Sequence, residues 1–186
     1  MKKTEKIAII SQLEIGMMQM AMLALVVLGK IPAIELNLYT HNTENQEAFD
    51  LLCLLGIPVF AVRLPPNKVP SHVATYCISN STNDASILST LVDVRNFSSQ
   101  KMNSCFHISY GALMGYPLSA IEGFVKNNTL PDEQYPACLK NELLTVFKLS
   151  KNNWQQETKL IMSWRKILSR DAPEILARLD AVIVKS

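Results

Sequence analysis

Two stretches, Ile34-Glu-Leu-Asn-Leu-Tyr-Thr40 and Ile57-Pro-Val-Phe-Ala-Val-Arg-Leu64, decide the expected fold. The first alternates apolar and polar residues, which is typical of a strand with one wetter face, and the second is a continuous apolar strand. Between them, Thr43-Glu-Asn-Gln46 matches a helix capping box. Leucines at helical spacing then lead to Gly56, a residue type that often ends a helix in the left-handed conformation. The pattern therefore predicts strand, helix and strand in succession.

A further strand and helix are expected before this unit. Lys6-Ile-Ala-Ile-Ile10 is short, apolar and rich in β-branched residues, as buried parallel strands are. Ser11-Gln-Leu-Glu14 matches a second capping box, which predicts a buried helix from Gln12 to Leu28. The alternative for this apolar run is a signal peptide or a membrane helix, but Glu14 would be costly in hydrocarbon.

The region after Leu64 predicts another strand and helix, over Val73–Ile78 and Asp84–Asn96. The resulting alternation of strands and helices implies a parallel sheet with right-handed crossovers. We therefore expect an α/β fold with a small doubly wound, mainly parallel sheet, Rossmann-like in residues 1–100. Residues 101–186 are expected to form an all-helical extension that packs on this unit in one compact domain.

The second half shows helical periodicity without strand signals. Helices are predicted over Phe106–Leu113, Pro117–Lys126, Pro136–Ser150, Trp154–Arg170 and Asp171–Val184.

Composition excludes several classes of protein. Of the 186 residues, 48% are hydrophobic and 18% charged, which excludes an intrinsically disordered chain. A formal net charge of +2 is too balanced for a polycationic nucleic-acid binder. The apolar excess is typical of a chain whose surface is partly covered by a partner or a second subunit. We therefore expect no nucleic acid and no membrane as partners, and a homodimer stays open.

The four cysteines indicate a reducing compartment. Cys53, Cys77, Cys105 and Cys138 are widely spaced, and no C-x-x-C pair occurs. They are expected to be buried free thiols of a cytoplasmic protein rather than a disulfide framework. His72 and His107 near cysteines do not form the tightly paired ligand pattern of a zinc site, so no metal is predicted.

Site candidates follow from the expected parallel sheet. Ligands of open α/β sheets bind outside the carboxyl ends of the strands. Neither G-x-G-x-x-G nor G-x-x-x-x-G-K-[ST] occurs, so no nucleotide cofactor is predicted and the cofactor stays unknown. The residues that follow the four predicted strands are the candidate ligand-binding residues Ser11, Gln12, Asn42, Arg63, Ser79 and Asn80 and the candidate catalytic residues Glu14 and His41.

The segment His107–Phe124 contains an unusual run of glycines, tyrosines and a proline. Its residues Tyr110-Gly-Ala-Leu-Met-Gly-Tyr-Pro117 and Ile121-Glu-Gly-Phe124 resemble a segment of uncharacterised prokaryotic proteins of the domain-of-unknown-function 483 type. The resemblance covers under a tenth of the chain and implies no known reaction. That family often has cysteines after the proline, where this chain has Leu118-Ser-Ala120, so the resemblance does not extend to a thiol or metal role.

The same segment supplies further candidate residues. Tyr110 and Tyr116 have apolar bodies with polar tips, which suit the lining of a cleft or an interface. A buried Glu122 near His107 would be a general acid or base, whereas an exposed Glu122 beside a glycine turn would be structural.

Two functions are expected from these observations. The first is a cytosolic protein that binds a small polar or anionic ligand, with enzymatic activity undecided. The alternative is a non-catalytic homodimeric interaction protein that uses its apolar helices.

Overall fold

The computed structural model describes residues 1–39, 44–62 and 73–183. Its strands in these ranges are β1 (Ala33–Tyr39), β2 (Val59–Ala61) and β3 (Val73–Ser79), which form one sheet in the order β1-β3-β2. Both pairings are antiparallel, and β3 is the central strand. The register between β1 and β3 pairs Ala33 with Ser79 at one end and Tyr39 with Val73 at the other.

The predicted doubly wound, mainly parallel sheet is therefore wrong, and so is the Rossmann-like description. Parallel neighbours need a crossover of a dozen or more residues, usually with a helix. Only residues 62–72, which include Pro65 and Pro66, join β2 to β3. The alternation of strands and helices earlier in the chain does not determine which strands pair or in which direction.

The prediction of a strand over Lys6–Ile10 is also wrong, because this segment belongs to a helix, α1 (Lys3–Ile10). The backbone N–H of Lys2 donates to Glu5 Oε2 at 2.8 Å and closes the first turn. Ile7 and Ile10, three residues apart, are the buried side chains of this helix. A short apolar run is compatible with either a strand or a buried helix, and packing against residues 17–27 and 44–54 decides for the helix here.

The next helix is shorter than predicted. Helix α2 (Met17–Val27) begins after Gly16, and Ser11 is the C-cap of α1 rather than an N-cap. Residues 20–28 are all buried, as expected for a helix that is apolar on every side. Helix α2 contacts β1 and β3 of the sheet and packs against α1.

The helices of the sheet region agree with the sequence. Helix α3 (Glu44–Leu54) ends before Gly56, whose φ of 59° is the predicted left-handed conformation. Helix α4 (Thr82–Phe97) is capped by Ser81, whose hydroxyl accepts from the Asp84 N–H at 3.3 Å. Helix α4 contacts all three strands, which brings the end of this helix beside β1.

Four predicted helices of the second half are confirmed. They are α5 (Ser104–Leu113), α6 (Leu118–Val125), α7 (Trp154–Asp171) and α8 (Pro173–Ile183). Helices α7 and α8 pack against each other and against α2.

The predicted helix Pro136–Ser150 is wrong. This region contains two short 3-10 turns, Asp132–Gln134 and Ala137–Leu139, and an isolated bridge between Thr129 and Ser150. Side chains take the backbone bonds that a helix would use: Leu149 N–H donates to the Tyr135 hydroxyl at 3.1 Å. Closer in sequence, the Leu144 N–H donates to Glu142 Oε1 at 3.0 Å, and such local side-chain acceptors compete with helix formation.

One continuous apolar core contains residues from both predicted parts of the chain, including Ile10, Leu25, Leu88, Leu144 and Leu179. Most of the apolar side chains are thus buried inside the chain, although Ile87, Val94 and Phe97 of α4 are exposed. Within the described ranges, no helix is both long and apolar enough to cross a membrane.

Candidate functional site

An apolar cavity of about 250 Å³ lies between α5, α6 and residues 146–148. We call it the aromatic cavity. Its walls include His107, Tyr110, Tyr116, Ile121, Phe124 and Phe147. Three of these, His107, Tyr110 and Tyr116, are candidates that the sequence suggested.

Glycines bring the two helices of this cavity together. A Cβ on Gly111 would lie 2.8 Å from Ile121 Cγ1, so α5 and α6 approach closely only because position 111 has no side chain. Gly115 ends α5 with a φ of 77°, which confirms the predicted turn, and a Cβ there would lie 2.6 Å from Ile31 Cγ2. The turn therefore fits against the segment that precedes β1.

Aromatic rings line the cavity at edge-on and tilted angles. The His107 and Phe124 rings are 5.2 Å apart and meet edge to face, and the Tyr116 and Phe147 rings are 5.5 Å apart. Within the described part of the chain, no side-chain hydrogen bond engages the imidazole of His107. The His107 imidazole thus adds a hydrogen-bonding group to a wall made mainly of apolar side chains and the two tyrosines.

A cation lies at the edge of the aromatic cavity. Lys148 lines it, and its ammonium donates to both carboxylate oxygens of Asp132 at 2.7 and 2.6 Å. The hydrogen bond to Lys148 lowers the pKa of Asp132. Both side chains are exposed, so this pair contributes little to stability and can exchange with another anion.

A second cavity, of about 340 Å³, shares Tyr110, Tyr116 and Val146 with the first. We call it the polar cleft. In it, Arg95 donates to the two carboxylate oxygens of Glu35 at 2.7 and 3.0 Å. The Tyr110 hydroxyl donates to Glu35 Oε2 at 2.8 Å, and the Arg95 guanidinium lies 5.5 Å from the centre of the Tyr110 ring.

Burial and the charge of Glu35 control ionisation here. Burial is the largest cause that raises the pKa of Tyr110, followed by the neighbouring charge of Glu35. The same two causes raise the pKa of Tyr116 to about 12. Burial lowers the pKa of Arg95, but the hydrogen bond and charge of Glu35 outweigh it and raise the pKa overall. At neutral pH the site therefore has neutral tyrosines and one internal ion pair.

The predicted grouping of strand-end residues does not occur. Because β1 and β3 are antiparallel, the carboxyl end of β1 lies opposite Val73, whereas Ser79 lies opposite Ala33. These positions are about 20 Å apart at the usual rise of a strand. His41, Asn42 and Arg63 lie outside the described residues.

Ser79 and Asn80 are used in structural hydrogen bonds. The Ser79 hydroxyl donates to the Pro32 carbonyl oxygen at 2.7 Å and accepts from the Ser81 N–H at 2.9 Å. The Asn80 amide donates to the Val26 carbonyl oxygen. These bonds join the end of β3 to the last turn of α2 and to the loop that follows it, and neither residue lines the two cavities.

The candidates after the predicted first strand also lie elsewhere. The Ser11 hydroxyl donates to the Ala8 carbonyl oxygen at 2.8 Å, and Gln12 and Glu14 are exposed in the connection between α1 and α2. The Ser11 carbonyl oxygen accepts from Arg178 of α8. None of these three residues lines either cavity.

Glu122 and His107 line different cavities. Glu122 is exposed, accepts from Lys126 at 3.0 Å and borders a separate polar surface pocket with Ser119 and Ser150. Glu122 is therefore an exposed residue beside the glycine turn and not a buried acid or base near His107. His107 lines the aromatic cavity without it.

The cysteines differ in part from expectation. All four are free thiols, but Cys53, Cys105 and Cys138 are exposed and only Cys77 is buried. Burial raises the pKa of the Cys77 thiol to about 12, so this thiol is protonated and unreactive at neutral pH. In the described ranges, no three His, Cys, Asp or Glu side chains form a group that could hold a metal ion.

Sequence reasoning missed Glu35 and Arg95, the charged pair of the polar cleft. Glu35 is the one charged residue of an otherwise apolar and amide-bearing strand, and this was the signal available. Its partner lies 60 residues away, and no local pattern links the two.

No known protein family matches the chain, and no curated protein and no solved structure is significantly similar to it. The resemblance of Tyr110–Phe124 to the domain-of-unknown-function 483 proteins therefore stays a prediction.

Proposed function

We propose that this protein binds a small molecule with an apolar ring and an anionic group, in the aromatic cavity. The observation that supports this most directly is the cavity itself: about 250 Å³ of apolar space walled by aromatic rings. A dry apolar cavity of about 150 Å³ is enough for benzene, so this one accommodates a ring with a substituent. We assign no reaction to the site.

The charge of the ligand follows from the side chains at the cavity. Its polar side chains are those of Lys148, His107, Tyr110 and Tyr116, with Lys148 supplying an ammonium, and no carboxylate lines it in the described part of the chain. An anionic group that reaches Lys148 can share the ammonium with Asp132. Apolar rings with a carboxylate are therefore favoured over those with an ammonium.

The homodimeric interaction protein stays a prediction with less support. Its argument was the apolar excess of the chain, and the most apolar helix, α2, is buried inside the chain. The exposed apolar side chains Ile87, Val94 and Phe97 of α4 are its remaining support.

The proposal is tested with three probes of similar shape: phenylacetate, phenylacetamide and phenethylamine. Methyl-labelled NMR titration should move the Ile121 methyl signals with phenylacetate, while those of Ile161 and Ile175, buried in α7 and α8, stay in place. Phenylacetamide should bind less tightly and phenethylamine least.

A matched pair of variants tests the basic residue. Lys148→Met should weaken phenylacetate binding about fivefold, the effect of roughly 1 kcal/mol of exposed electrostatics. Lys151→Met removes an exposed lysine outside the cavity and should leave binding unchanged. An unmoved Ile121 signal at millimolar phenylacetate, or equal binding of phenethylamine, would overturn the proposal.

A further inference from the structure

The polar cleft has a different chemistry from the aromatic cavity. We infer that it is a second binding site, for an uncharged molecule that carries amide or hydroxyl groups on a ring-sized apolar body. Three observations support this: its charges, its unpartnered polar groups and its apolar lining.

The charges of the cleft cancel. Glu35 and Arg95 are the charged side chains among its described lining residues, and they bind each other through two hydrogen bonds. Tyr110 supplies a third hydrogen bond to the same carboxylate. A charged ligand would have to break this pair or lose its own hydration without compensation, so the cleft selects against ions.

Several hydrogen-bonding groups in the cleft are unused. The Thr145 hydroxyl oxygen is buried and has no hydrogen-bond partner, and within the described residues it is the sole buried side-chain polar atom in that condition. Within these residues Gln19 makes no side-chain hydrogen bond either, and the side chain of Asn37 makes one, in which its oxygen accepts from the Thr75 hydroxyl at 2.7 Å. A buried hydroxyl without a partner is costly, and a ligand that reaches it after a small shift of the surrounding side chains recovers that cost.

The rest of the lining is apolar and adaptable. Met18, Met22 and Met114 border the cleft from α2 and from the end of α5. Methionine side chains are flexible and make favourable contacts with aromatic rings. The volume of about 340 Å³ exceeds the 150 Å³ or so that a benzene-sized group needs. A ring would pack against the methionines, and its hydrogen-bonding substituents would bond to the unpartnered polar groups of the cleft.

Nicotinamide and nicotinate are the probes for this inference, because they have the same ring and differ in charge. Nicotinamide should move the methyl signals of Met18, Met22 and Met114, and nicotinate should bind at least tenfold more weakly. Thr145→Val, which keeps the shape and removes the hydroxyl, should weaken nicotinamide binding about three- to tenfold, the range of one net hydrogen bond.

Controls separate this site from the aromatic cavity and from loss of folding. Thr90→Val removes a hydroxyl on the exposed face of α4, where it donates to the Ser86 carbonyl oxygen, and should leave nicotinamide binding unchanged. Gln19→Leu provides a second cleft variant in case Thr145→Val lowers stability. Equal binding of nicotinate, unmoved methionine signals, or unchanged binding by both cleft variants would overturn the inference. The Ile121 response to phenylacetate reports the other cavity independently.

Discussion

Glu35 of β1 and Arg95 of α4 are joined by two hydrogen bonds of 2.7 and 3.0 Å across 60 residues of sequence. The Glu35 side chain is 11% exposed and that of Arg95 36%. Tyr110 of α5 adds its hydroxyl to the same carboxylate. This one contact therefore links the sheet, the helix that covers it and the helix that lines both cavities.

Arg95→Met should destabilise the protein, because it leaves the carboxylate of Glu35 mostly buried with Tyr110 as its remaining side-chain partner among the described residues. Solvent access to Arg95 reduces the loss below that of a fully buried pair, and we expect about 2 kcal/mol in the free energy of unfolding. Urea denaturation measures it. Lys126→Met breaks the exposed pair with Glu122 and should change little; an equally small effect of Arg95→Met would contradict the role given to this pair.

Glu157→Leu should cost about 3 kcal/mol of unfolding free energy. Glu157 is 1% exposed, and its carboxylate accepts from the hydroxyls of Ser119 and Ser150 and from the Ser150 N–H. Leucine leaves these donors without their acceptor. Gln155→Leu, on the exposed side of the same first turn of α7, is the matched control in the same denaturation experiment and should be nearly neutral.

Gly115→Ala should be more destabilising than Gly29→Ala. Both glycines have left-handed φ values, 77° and 72°, which cost an alanine about 1 kcal/mol. At Gly115 the new Cβ would also overlap Ile31 Cγ2 at 2.6 Å, whereas at Gly29 it meets nothing within 4 Å. We expect about 3 kcal/mol against about 1 in thermal or urea unfolding. Equal losses would show that the approach to Ile31 relaxes freely.

Alkaline pH should destabilise the fold through its buried tyrosines. An unfolded tyrosine loses its proton near pH 10, whereas burial and the charge of Glu35 raise the pKa of Tyr116 to about 12. Between these values the unfolded state binds fewer protons than the folded state, so the unfolding free energy falls as pH rises. The pKa of Tyr110 is also raised, which extends the loss of unfolding free energy to higher pH. The pKa of Cys77, raised to about 12, adds a loss of the same sign.

The contribution of Tyr116 is isolated with Tyr116→Phe. In urea denaturation from pH 8 to 12, the unfolding free energy of this variant should fall less steeply with pH than that of the unaltered protein. The difference between the two slopes is the contribution of the Tyr116 hydroxyl. Tyrosinate absorbance of the folded protein gives a direct second measurement. Identical declines for both proteins would mean that Tyr116 titrates at its ordinary pKa.

Much of the local structure followed from the sequence. The alternation over 34–40 identified β1, and helical periodicity identified α3, α4 and the helices α5 to α8 after residue 100. His107, Tyr110 and Tyr116 were selected from an unusual local segment and do line one cavity. Caps, periodicity and glycine turns act over a few residues, so they can be recognised without the fold.

The tertiary structure alone decided the rest. The pairing of β3 between β1 and β2, the helical state of Lys3–Ile10 and the irregular backbone around Leu144 depend on contacts between distant segments. The pair of Glu35 and Arg95 and the unpartnered hydroxyl of Thr145 arise in the same way. Local patterns indicate which residues are apolar and which are polar. The direction of strand pairing and the partners of buried charges are determined by the packing of the whole chain.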